Sequence, residues 1–334
     1  MYLSFDGVSK KTNPKNHWEI PYIFENLRKT IIGTVLVPTV IKGENDHELG
    51  AIVNFALNNQ DIIRGVNFQP VSLVGRMPRA KREEQRITIP EVIQKLEGQT
   101  NGAISEDDFY TIPSVVPLSR FVEALTGKPQ YLLSPHFACG AASYVFTDGS
   151  RIVPITRFVD VEGFMEYIDE KSDELEAGAR KRIVSVKFLA NLRRFVDDKK
   201  EPRGLNFVGL LRNILITHNR KALAQLSNKS LFIGMMHFMD LYNYDVERVQ
   251  RCCIHYALPD KRIVPFCTFN VLPEIYRDKV QKKFSMSSKE WENQSGKKLK
   301  DTIYQRDIKK LESGAAYKKT YENPTNFFER PAVS

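Results

Sequence analysis

Apolar and polar residues follow two alternating periods over the first hundred positions of the chain. Strand patterns mark residues 2–5, which alternate, 34–37, which form a β-branched run, and 65–73, which contain Val66, Phe68, Val71 and Leu73. A spacing of three and four, typical of amphipathic helices, marks residues 18–30, 47–57 and 87–96. Strands that alternate with helices in this way form a parallel sheet with right-handed crossovers. The pattern therefore predicts an α/β fold.

Polar residues mark the carboxyl ends of the predicted strands, which is where parallel sheets bind ligands. In chain order they are Asp6, then Lys42, Asn45 and Asp46, then Asn67 and Gln69. Their clustering fits a ligand pocket and, equally, the ordinary polarity of loops. Three strand–helix units cannot close a barrel, so we expect one edge of the sheet to be open or to be covered by another segment.

Two predicted β-hairpins carry the cysteines. Apolar runs at 143–146 and 151–155 flank an Asp-Gly turn and predict the first hairpin, which Cys139 precedes. Cys252 and Cys253 precede a second hairpin with its turn at 258–261, and Cys267 follows it. Both hairpins contain Arg-Ile-Val-Pro after the turn, which indicates a weak internal duplication with Thr156 at the position of Cys267.

The cysteines are candidate ligands, because a hairpin brings the residues on either side of its turn together. Tetrahedral zinc and an iron–sulfur cube each need four ligands. Cys139, Cys252 and Cys267 are favoured, since adjacent side chains on a strand point to opposite sides and Cys253 would point away. The fourth ligand is left open between Cys253 and a histidine, with the candidates His136, His237 and His255. Buried structural cysteines are the alternative, as no Cys-x-x-Cys pair is present.

Composition indicates a globular chain with room for about two domains, since 42% of its 334 residues are hydrophobic and 27% are charged. No segment approaches the roughly 20 apolar residues of a membrane span, and the chain does not open with a signal peptide. Four cysteines are too few for a disulfide scaffold. We therefore expect a cytoplasmic protein.

The formal net charge of +9 is concentrated in one segment, because residues 171–229 contain 14 Lys and Arg against 6 Asp and Glu. Within it, residues 183–196 and 205–226 predict basic amphipathic helices, which can lie on anionic lipid headgroups or, more commonly, pack on a neighbouring domain. No nucleic-acid-binding motif accompanies the charge, so we do not expect a nucleic-acid partner. Residues 279–319 are polar and lysine-rich and predict a peripheral helix or a flexible extension.

Five segments carry a family resemblance that runs from residue 2 to about residue 277. They are Leu3-Ser4-Phe5-Asp6-Gly7-Val8, Leu36-Val37-Pro38-Thr39, Gly65-Val66-Asn67-Phe68-Gln69-Pro70, Pro135-His136 with Cys139-Gly140-Ala141, and His237-Phe238-Met239-Asp240 through Cys267. Together they resemble archaeal radical S-adenosylmethionine enzymes of the tetraether lipid synthase type. The two hairpins also resemble the auxiliary-cluster hairpins of that superfamily.

The resemblance implies a partial TIM-like (β/α) barrel, followed by a helical and β-hairpin auxiliary-cluster region. It implies that S-adenosylmethionine is cleaved to a 5′-deoxyadenosyl radical, which abstracts hydrogen from unactivated alkyl carbons and couples lipid chains in tetraether lipid biosynthesis. Asp6, Asn67 and Gln69 fall on strand ends that face cofactor and substrate. Cys139, Cys252 and Cys267, with Cys253 as a further candidate, fall on the pattern that binds an auxiliary 4Fe–4S cluster.

One motif of the superfamily, Cys-x-x-x-Cys-x-x-Cys, does not occur in this sequence. We therefore expect the carboxyl-terminal part of such an enzyme, which needs an amino-terminal half on a separate chain for activity and for binding S-adenosylmethionine. The expected regions are the second half of the barrel (1–98), a connector with the first hairpin (99–170), a basic helical segment (171–230), the second hairpin (231–282) and a lysine-rich tail (283–334).

Two further expectations concern the ligands. A lipid or other alkyl substrate would bring the protein into peripheral contact with a membrane, although related members can act on pterin-like molecules, so the resemblance leaves the exact substrate open. A non-catalytic, metal-stabilised binding module with a basic surface is the alternative function. Metal analysis of the protein separates the two: bound iron with sulfide would indicate the enzyme, and bound zinc alone would indicate the binding module.

Overall fold

One mixed sheet organises the chain, whose computed structural model describes residues 1–30, 32–75, 77–149, 151–217, 226–322 and 324–328. The strands run in the order β1-β2-β4-β8-β6-β5, with β3 beside β4 and β7 beside β6. Their bounds are β1 Tyr2–Leu3, β2 Thr34–Leu36, β3 Thr39–Val40, β4 Ile63–Pro70, β5 Tyr110–Thr111, β6 Gly140–Thr147, β7 Ile152–Pro154 and β8 Ser230–Met236.

The first three predicted strands are parallel neighbours, as expected. β1 pairs with β2, β2 pairs with β4, and β4 pairs with β8, each in parallel. The predicted helices between them also form, as α1 Ile20–Arg28, α2 Leu49–Asn58 and α4 Ile89–Gln99, with the short α3 Arg82–Gln85 before α4. The predicted α/β class is therefore confirmed.

Helices α1, α2 and α4 bury their apolar stripes against one face of the sheet. The start of α4 shows how the local sequence builds this layer, because Thr88 and Glu91 form a reciprocal capping box and Pro90 lies in the first turn. On β4, the apolar Val66 and Phe68 alternate with Asn67 and belong to this core. The largest buried side chains in this core are Phe5, Phe24, Phe68, Ile20, Leu36, Leu49, Ile52 and Ile63.

Strand β8 lies far along the chain and yet completes the sheet. It is parallel to β4 on one side and antiparallel to β6 on the other. Strands from the expected regions 1–98 and 99–170 therefore share one sheet with β8. At the other side of the sheet, β1 is the edge strand.

Both predicted hairpins form. β6 and β7 are antiparallel, and so are β9 His255–Ala257 and β10 Ile263–Pro265, which make a separate two-stranded sheet. In each case the Ile-Val-Pro strand leads into helical structure, namely the 3₁₀ turn Ile155–Arg157 or the helix Phe266–Val271. The duplication suggested by the shared Arg-Ile-Val-Pro is thus also present in the backbone.

The middle of the chain is helical, with α5 Val116–Thr126, α6 Val161–Glu176, α7 Lys181–Asn191 and α8 Phe207–Thr217. The helix predicted at 183–196 continues beyond α7 as the 3₁₀ turn Leu192–Phe195. Of the helix predicted at 205–226, positions 218–225 lie outside the described residues. Val184 and Phe188 of α7 pack against Phe121 and Ile168, so the apolar side of this helix faces its neighbours. None of the helices in the described ranges is long and apolar enough to cross a membrane.

The last part of the chain forms short helices, one of the two alternatives expected, and its final aromatic residues reach the core. The helices are Arg277–Phe284, Ser288–Ser295, Leu299–Thr302, Ile308–Ser313 and Ala315–Tyr321. The Tyr321 ring stacks on the rings of His17 and Phe55, with 4.3 Å and 5.8 Å between the ring centroids. Phe328 is buried as well. The lysine-rich tail therefore stabilises the sheet–helix core rather than lying only at its periphery.

The contact between His17 and the tail predicts a pH-dependent stability. Burial, followed by the nearby Lys10, lowers the pKa of His17 below its usual 6.5, and its Nε2 lies 2.8 Å from the Tyr317 hydroxyl. The unfolded chain therefore takes up this proton more readily than the folded chain. The stabilisation is complete above about pH 6.5 and is lost as the pH falls toward the lower folded value.

Urea unfolding at about pH 7.5 and about pH 5.5 tests this, with His17→Gln as the variant that cannot titrate. We expect the wild-type protein to lose more stability than the variant on acidification. A residual slope is expected in both proteins, because burial also lowers the pKa of His237. Equal losses in the two proteins would show that His17 does not couple the tail to pH.

Candidate functional site

The carboxyl ends of the parallel strands meet at one edge of the sheet and bring most predicted site residues together. Asp6 follows β1, Gln69 is near the end of β4, and His237 follows β8. β6 runs in the opposite direction, and its first residue, Gly140, pairs with Met236 at the end of β8. Cys139 therefore lies at the same edge as the strand ends, which the sequence order alone does not show.

Asp6 is held by the strand ends around it. Its Oδ1 accepts a hydrogen bond from the Thr39 N–H at 2.9 Å. The Asn45 Nδ2 donates to the carbonyl oxygens of Asp6 at 2.7 Å and Thr39 at 2.8 Å. Asn45 is thus a structural link between β1 and β3, and Asp6 is fixed in position beside it.

The other polar residues predicted after the second strand are engaged in local structure. Asp46 Oδ1 accepts the Gly43 N–H at 2.9 Å, and its Oδ2 lies 3.0 Å from Lys95 Nζ. Lys42 Nζ lies 3.0 Å from Glu91 Oε1. These contacts explain the polarity of the loop without a ligand.

Asn67 differs from these residues because its side chain has no such partner. It is 7% exposed, and no described residue makes a hydrogen bond to its amide group. It lies on the sheet face opposite the helices, since its neighbours Val66 and Phe68 point into the core. Gln69, two residues further on, is half-buried and donates its backbone N–H to Pro38 O at 2.8 Å.

An aromatic surface lies beside Asn67 on the same face. A Cβ atom on Gly234 would lie 2.4 Å from Phe232 Cε1 and 2.8 Å from Asn67 Oδ1, and a Cβ on Gly65 would lie 2.9 Å from Phe232 Cβ. The Phe232 ring therefore lies close to the sheet, where two glycines leave room for it. The ring of Tyr144 on β6 lies next to it, with 5.4 Å between the ring centroids and 61° between the ring planes. We call these five residues the Phe232 platform.

Three of the four cysteines are neighbours in space. Burial raises the pKa of the Cys267 thiol, and the nearby thiols of Cys252 and Cys139 add to the effect. Cys267 Sγ accepts the Met239 N–H at 3.3 Å, and the Cys139 carbonyl accepts the His237 N–H at 3.0 Å. His237 and Met239, two positions apart in the loop after β8, thus contact the Cys139 backbone and the Cys267 thiol.

Cys252 reaches this cluster through the second hairpin. Its Sγ donates to the Ile254 carbonyl at 3.0 Å, and the same carbonyl accepts the Phe266 N–H at 2.9 Å. Cys253 has different surroundings, since its Sγ faces the Arg251 carbonyl at 3.7 Å and its own carbonyl accepts the Tyr131 hydroxyl at 2.8 Å. The thiols of Cys139 and Cys252 thus influence that of Cys267, whereas Cys253 contacts Arg251 and Tyr131.

All four cysteines are free thiols. Within the described ranges, no group of three or more His, Cys, Asp or Glu side chains is arranged to hold a single metal ion. Binding of a metal ion or cluster by these cysteines therefore stays a prediction, and the thiols would have to move together to bind it.

Among the candidate histidines, His237 has the surroundings of a ligand. It is buried, and its Nε2 has no hydrogen-bond partner in the described part of the chain. Burial and the positive charge of Arg248 lower its pKa, and Arg248 Nη2 donates to its carbonyl at 2.9 Å. His136 instead accepts the Ala138 N–H on Nδ1, and His255 is exposed on β9.

A buried carboxylate that sequence reasoning missed holds the loop after β8. Asp240 is 0% exposed, and Arg86 Nη2 donates to both of its oxygens at 3.1 and 3.2 Å. The same carboxylate accepts the backbone N–H groups of Leu73 at 3.3 Å and Tyr242 at 2.8 Å. Asp240 thus joins the segments after β4 and β8. No sequence signal could pair residues that lie 154 positions apart.

The sequence matches a pterin methyltransferase. It is 45% identical over 304 residues to the 7,8-dihydro-6-hydroxymethylpterin dimethyltransferase of Methanocaldococcus jannaschii, and the match covers 87% of this chain. The chain spans 59% of the length of that curated relative. No protein-family model matches the chain.

This match corrects two expectations. The resemblance to tetraether lipid synthases is wrong at the level of the family, because the similarity found is to a pterin dimethyltransferase. Lipid-chain coupling is wrong for the same reason, and the comparison supports neither a truncated, inactive fragment nor the alternative of a non-catalytic binding module.

Proposed function

We propose that this chain takes part in methylating a pterin related to 7,8-dihydro-6-hydroxymethylpterin, with S-adenosylmethionine as cosubstrate. The observation that carries the proposal is the 45% identity over 304 residues. At that identity the helices, strands and most buried contacts are expected to be shared. The complete activity is proposed rather than assigned, since the chain spans 59% of the relative.

The fold supports a site of this kind. We propose that the parallel strands β1, β2 and β4 with their helices represent part of a TIM-like barrel, as the sequence resemblance to radical S-adenosylmethionine enzymes implies. In such folds ligands bind at the carboxyl ends of the strands. Asp6, Asn67, Gln69 and the cysteine cluster all lie at or near that edge.

A 4Fe–4S cluster fits the chemistry of the cysteine cluster better than a single ion does. Such clusters take thiolate ligands, and the cube is larger than one ion, so its ligands stand further apart. The Met239 N–H that points at Cys267 Sγ would stabilise a thiolate there. The backbone N–H of His237 bonds to the Cys139 carbonyl, and the His237 Nε2 has no hydrogen-bond partner among the described residues. When bound, such a cluster supplies electron transfer. We propose Cys139, Cys252 and Cys267 as its ligands in an auxiliary role.

The chain's own residues would order the site. Asp240 and Arg86 hold the loop that carries His237 and Met239 against the end of β4. Asp6, fixed by Thr39, presents its remaining carboxylate oxygen at the end of β1, where a hydroxyl or ammonium donor of S-adenosylmethionine could bind. An amino-terminal half on a separate chain stays a prediction, which the comparisons do not test.

The activity is tested by anaerobic reconstitution of the chain with iron and sulfide. The protein is then incubated with a reductant, S-adenosylmethionine and 6-hydroxymethyl-7,8-dihydropterin, and the pterin is analysed by mass spectrometry. We expect methyl groups on the pterin that carry the label of methyl-labelled S-adenosylmethionine. Absence of labelled pterin both from this chain and from a mixture with the remaining part of the relative would contradict the proposal.

A further inference from the structure

We propose that the Phe232 platform is the binding site for the pterin ring of the substrate, with the ring stacked on Phe232 and its polar edge paired with Asn67. The inference rests on the proposed function and assigns the substrate to particular residues. It goes beyond the sequence resemblance, which placed Asn67 and Gln69 near cofactor and substrate and did not involve Phe232, Tyr144 or the two glycines.

The first support is the Asn67 side chain. It is 7% exposed, and no described residue hydrogen-bonds to its amide. The amide atoms are not fully enclosed, so they can reach a ligand on this face of the sheet. An amide carries one acceptor and two donors side by side. It therefore suits a heterocycle whose edge presents an adjacent donor and acceptor, as the amino-oxo edge of a pterin does.

The second support is the surface beside Asn67. Gly65 and Gly234 let the Phe232 ring approach the sheet, where any larger residue at Gly234 would collide with the ring and with Asn67. Phe232 is half-buried, and the plane of the Tyr144 ring is inclined at 61° to the plane of its ring. The Phe232 ring offers a flat surface for stacking, and the inclined Tyr144 ring bounds this surface on one side. Such an arrangement favours a planar aromatic ligand.

The third support is the position of the platform relative to the other groups. Gly234 precedes Met236 by two residues, so the platform lies about 7 Å along the strand from the end of β8, where Cys139 and His237 are found. Asp6 ends β1, which lies two strands, or about 10 Å, from β4. A pterin on the platform would thus leave the ends of β1 and β2 for S-adenosylmethionine.

Binding of 6-hydroxymethyl-7,8-dihydropterin, measured by anaerobic isothermal titration on the full chain, tests the assignment. Asn67→Leu removes the amide at similar volume, and Phe232→Leu removes the stacking ring. We expect each change to weaken binding about tenfold. Matched controls are Asn293→Leu and Phe284→Leu on exposed tail helices, which should bind as the wild type does. Thermal unfolding of each variant identifies loss of folded protein, and Phe232→Tyr, which keeps the ring, should restore binding if Phe232→Leu is unstable.

The outcomes separate this inference from the proposed function. Pterin binding by the wild type that the two platform variants leave unchanged would overturn the inference and leave the methyltransferase proposal standing. Absence of pterin binding by the wild type, both alone and mixed with the remaining part of the relative, would overturn both. If the variants weaken binding of S-adenosylmethionine and not of the pterin, the platform holds the adenine ring and the inference is wrong.

Discussion

Cys267→Ser is expected to remove most of the iron that the wild-type chain retains after anaerobic reconstitution. The Cys267 thiol is influenced by the nearby thiols of Cys252 and Cys139, and it receives the Met239 N–H. Losing a thiolate ligand should lower iron affinity at least about tenfold, because even groups that only support a ligand contribute 10–100-fold. Iron and sulfide content per chain, together with the visible absorption of the cluster, measure the loss.

Cys253→Ser is the matched control for this experiment. It changes an adjacent cysteine in the same hairpin, whose Sγ faces the Arg251 carbonyl. We expect this variant to keep the wild-type content of iron and sulfide, whereas Cys139→Ser and Cys252→Ser should behave as Cys267→Ser does. Equal losses in the Cys253 and Cys267 variants would show that the three-thiol assignment is wrong. A wild-type chain that binds zinc and no iron would contradict an iron–sulfur cluster at this site.

Asp240→Ala is expected to lower the free energy of unfolding by about 3 kcal/mol, the largest stability effect that we expect from a single polar residue. The change leaves the Arg86 guanidinium without its carboxylate and frees the backbone N–H groups of Leu73 and Tyr242. Arg86 is 30% exposed in its side chain, so water compensates part of the loss. Urea unfolding followed by circular dichroism measures the effect, and the exposed Asp301→Ala should change it by less than about 0.5 kcal/mol.

A double variant separates the ion pair from the rest of the site. Arg86→Met with Asp240→Ala removes both charges, so the combined loss should be smaller than the sum of the two single losses. Simple additivity would mean that Asp240 stabilises the loop through the backbone N–H groups and not through Arg86. The same variants report on the site, since a loosened loop should also reduce iron retention at Cys267.

Local sequence was sufficient where the structure depends on neighbours along the chain. Strands were predicted at 34–37 and 65–73 and helices at 18–30, 47–57 and 87–96. They form at 34–36, 63–70, 20–28, 49–58 and 89–99, which is within a few residues. The Asp-Gly turn and the repeated Arg-Ile-Val-Pro gave both hairpins. Periods of 2 and 3.6 residues arise from backbone geometry, so they are visible in a single sequence.

The family assignment from local segments was wrong, because the similarity found is to a pterin dimethyltransferase and not to a tetraether lipid synthase. The quoted segments lie at strand ends and around cysteines, which are features of a cofactor-binding framework. Substrate choice depends on a few side chains that face the ligand, and these differ between enzymes that share a framework. The match to a pterin dimethyltransferase supplied what those segments lacked.

By itself, the sequence determined the α/β class and the two hairpins. Only the tertiary structure decided that β8 joins β4, that Phe232 and Tyr144 lie beside Asn67, that Asp240 binds Arg86, and that Tyr321 packs on His17. These contacts link residues more than a hundred positions apart in the chain, apart from the neighbouring strands β6 and β8. Such pairs form because buried charges, amides and rings need partners, and a periodic pattern shows that need without showing which partner satisfies it.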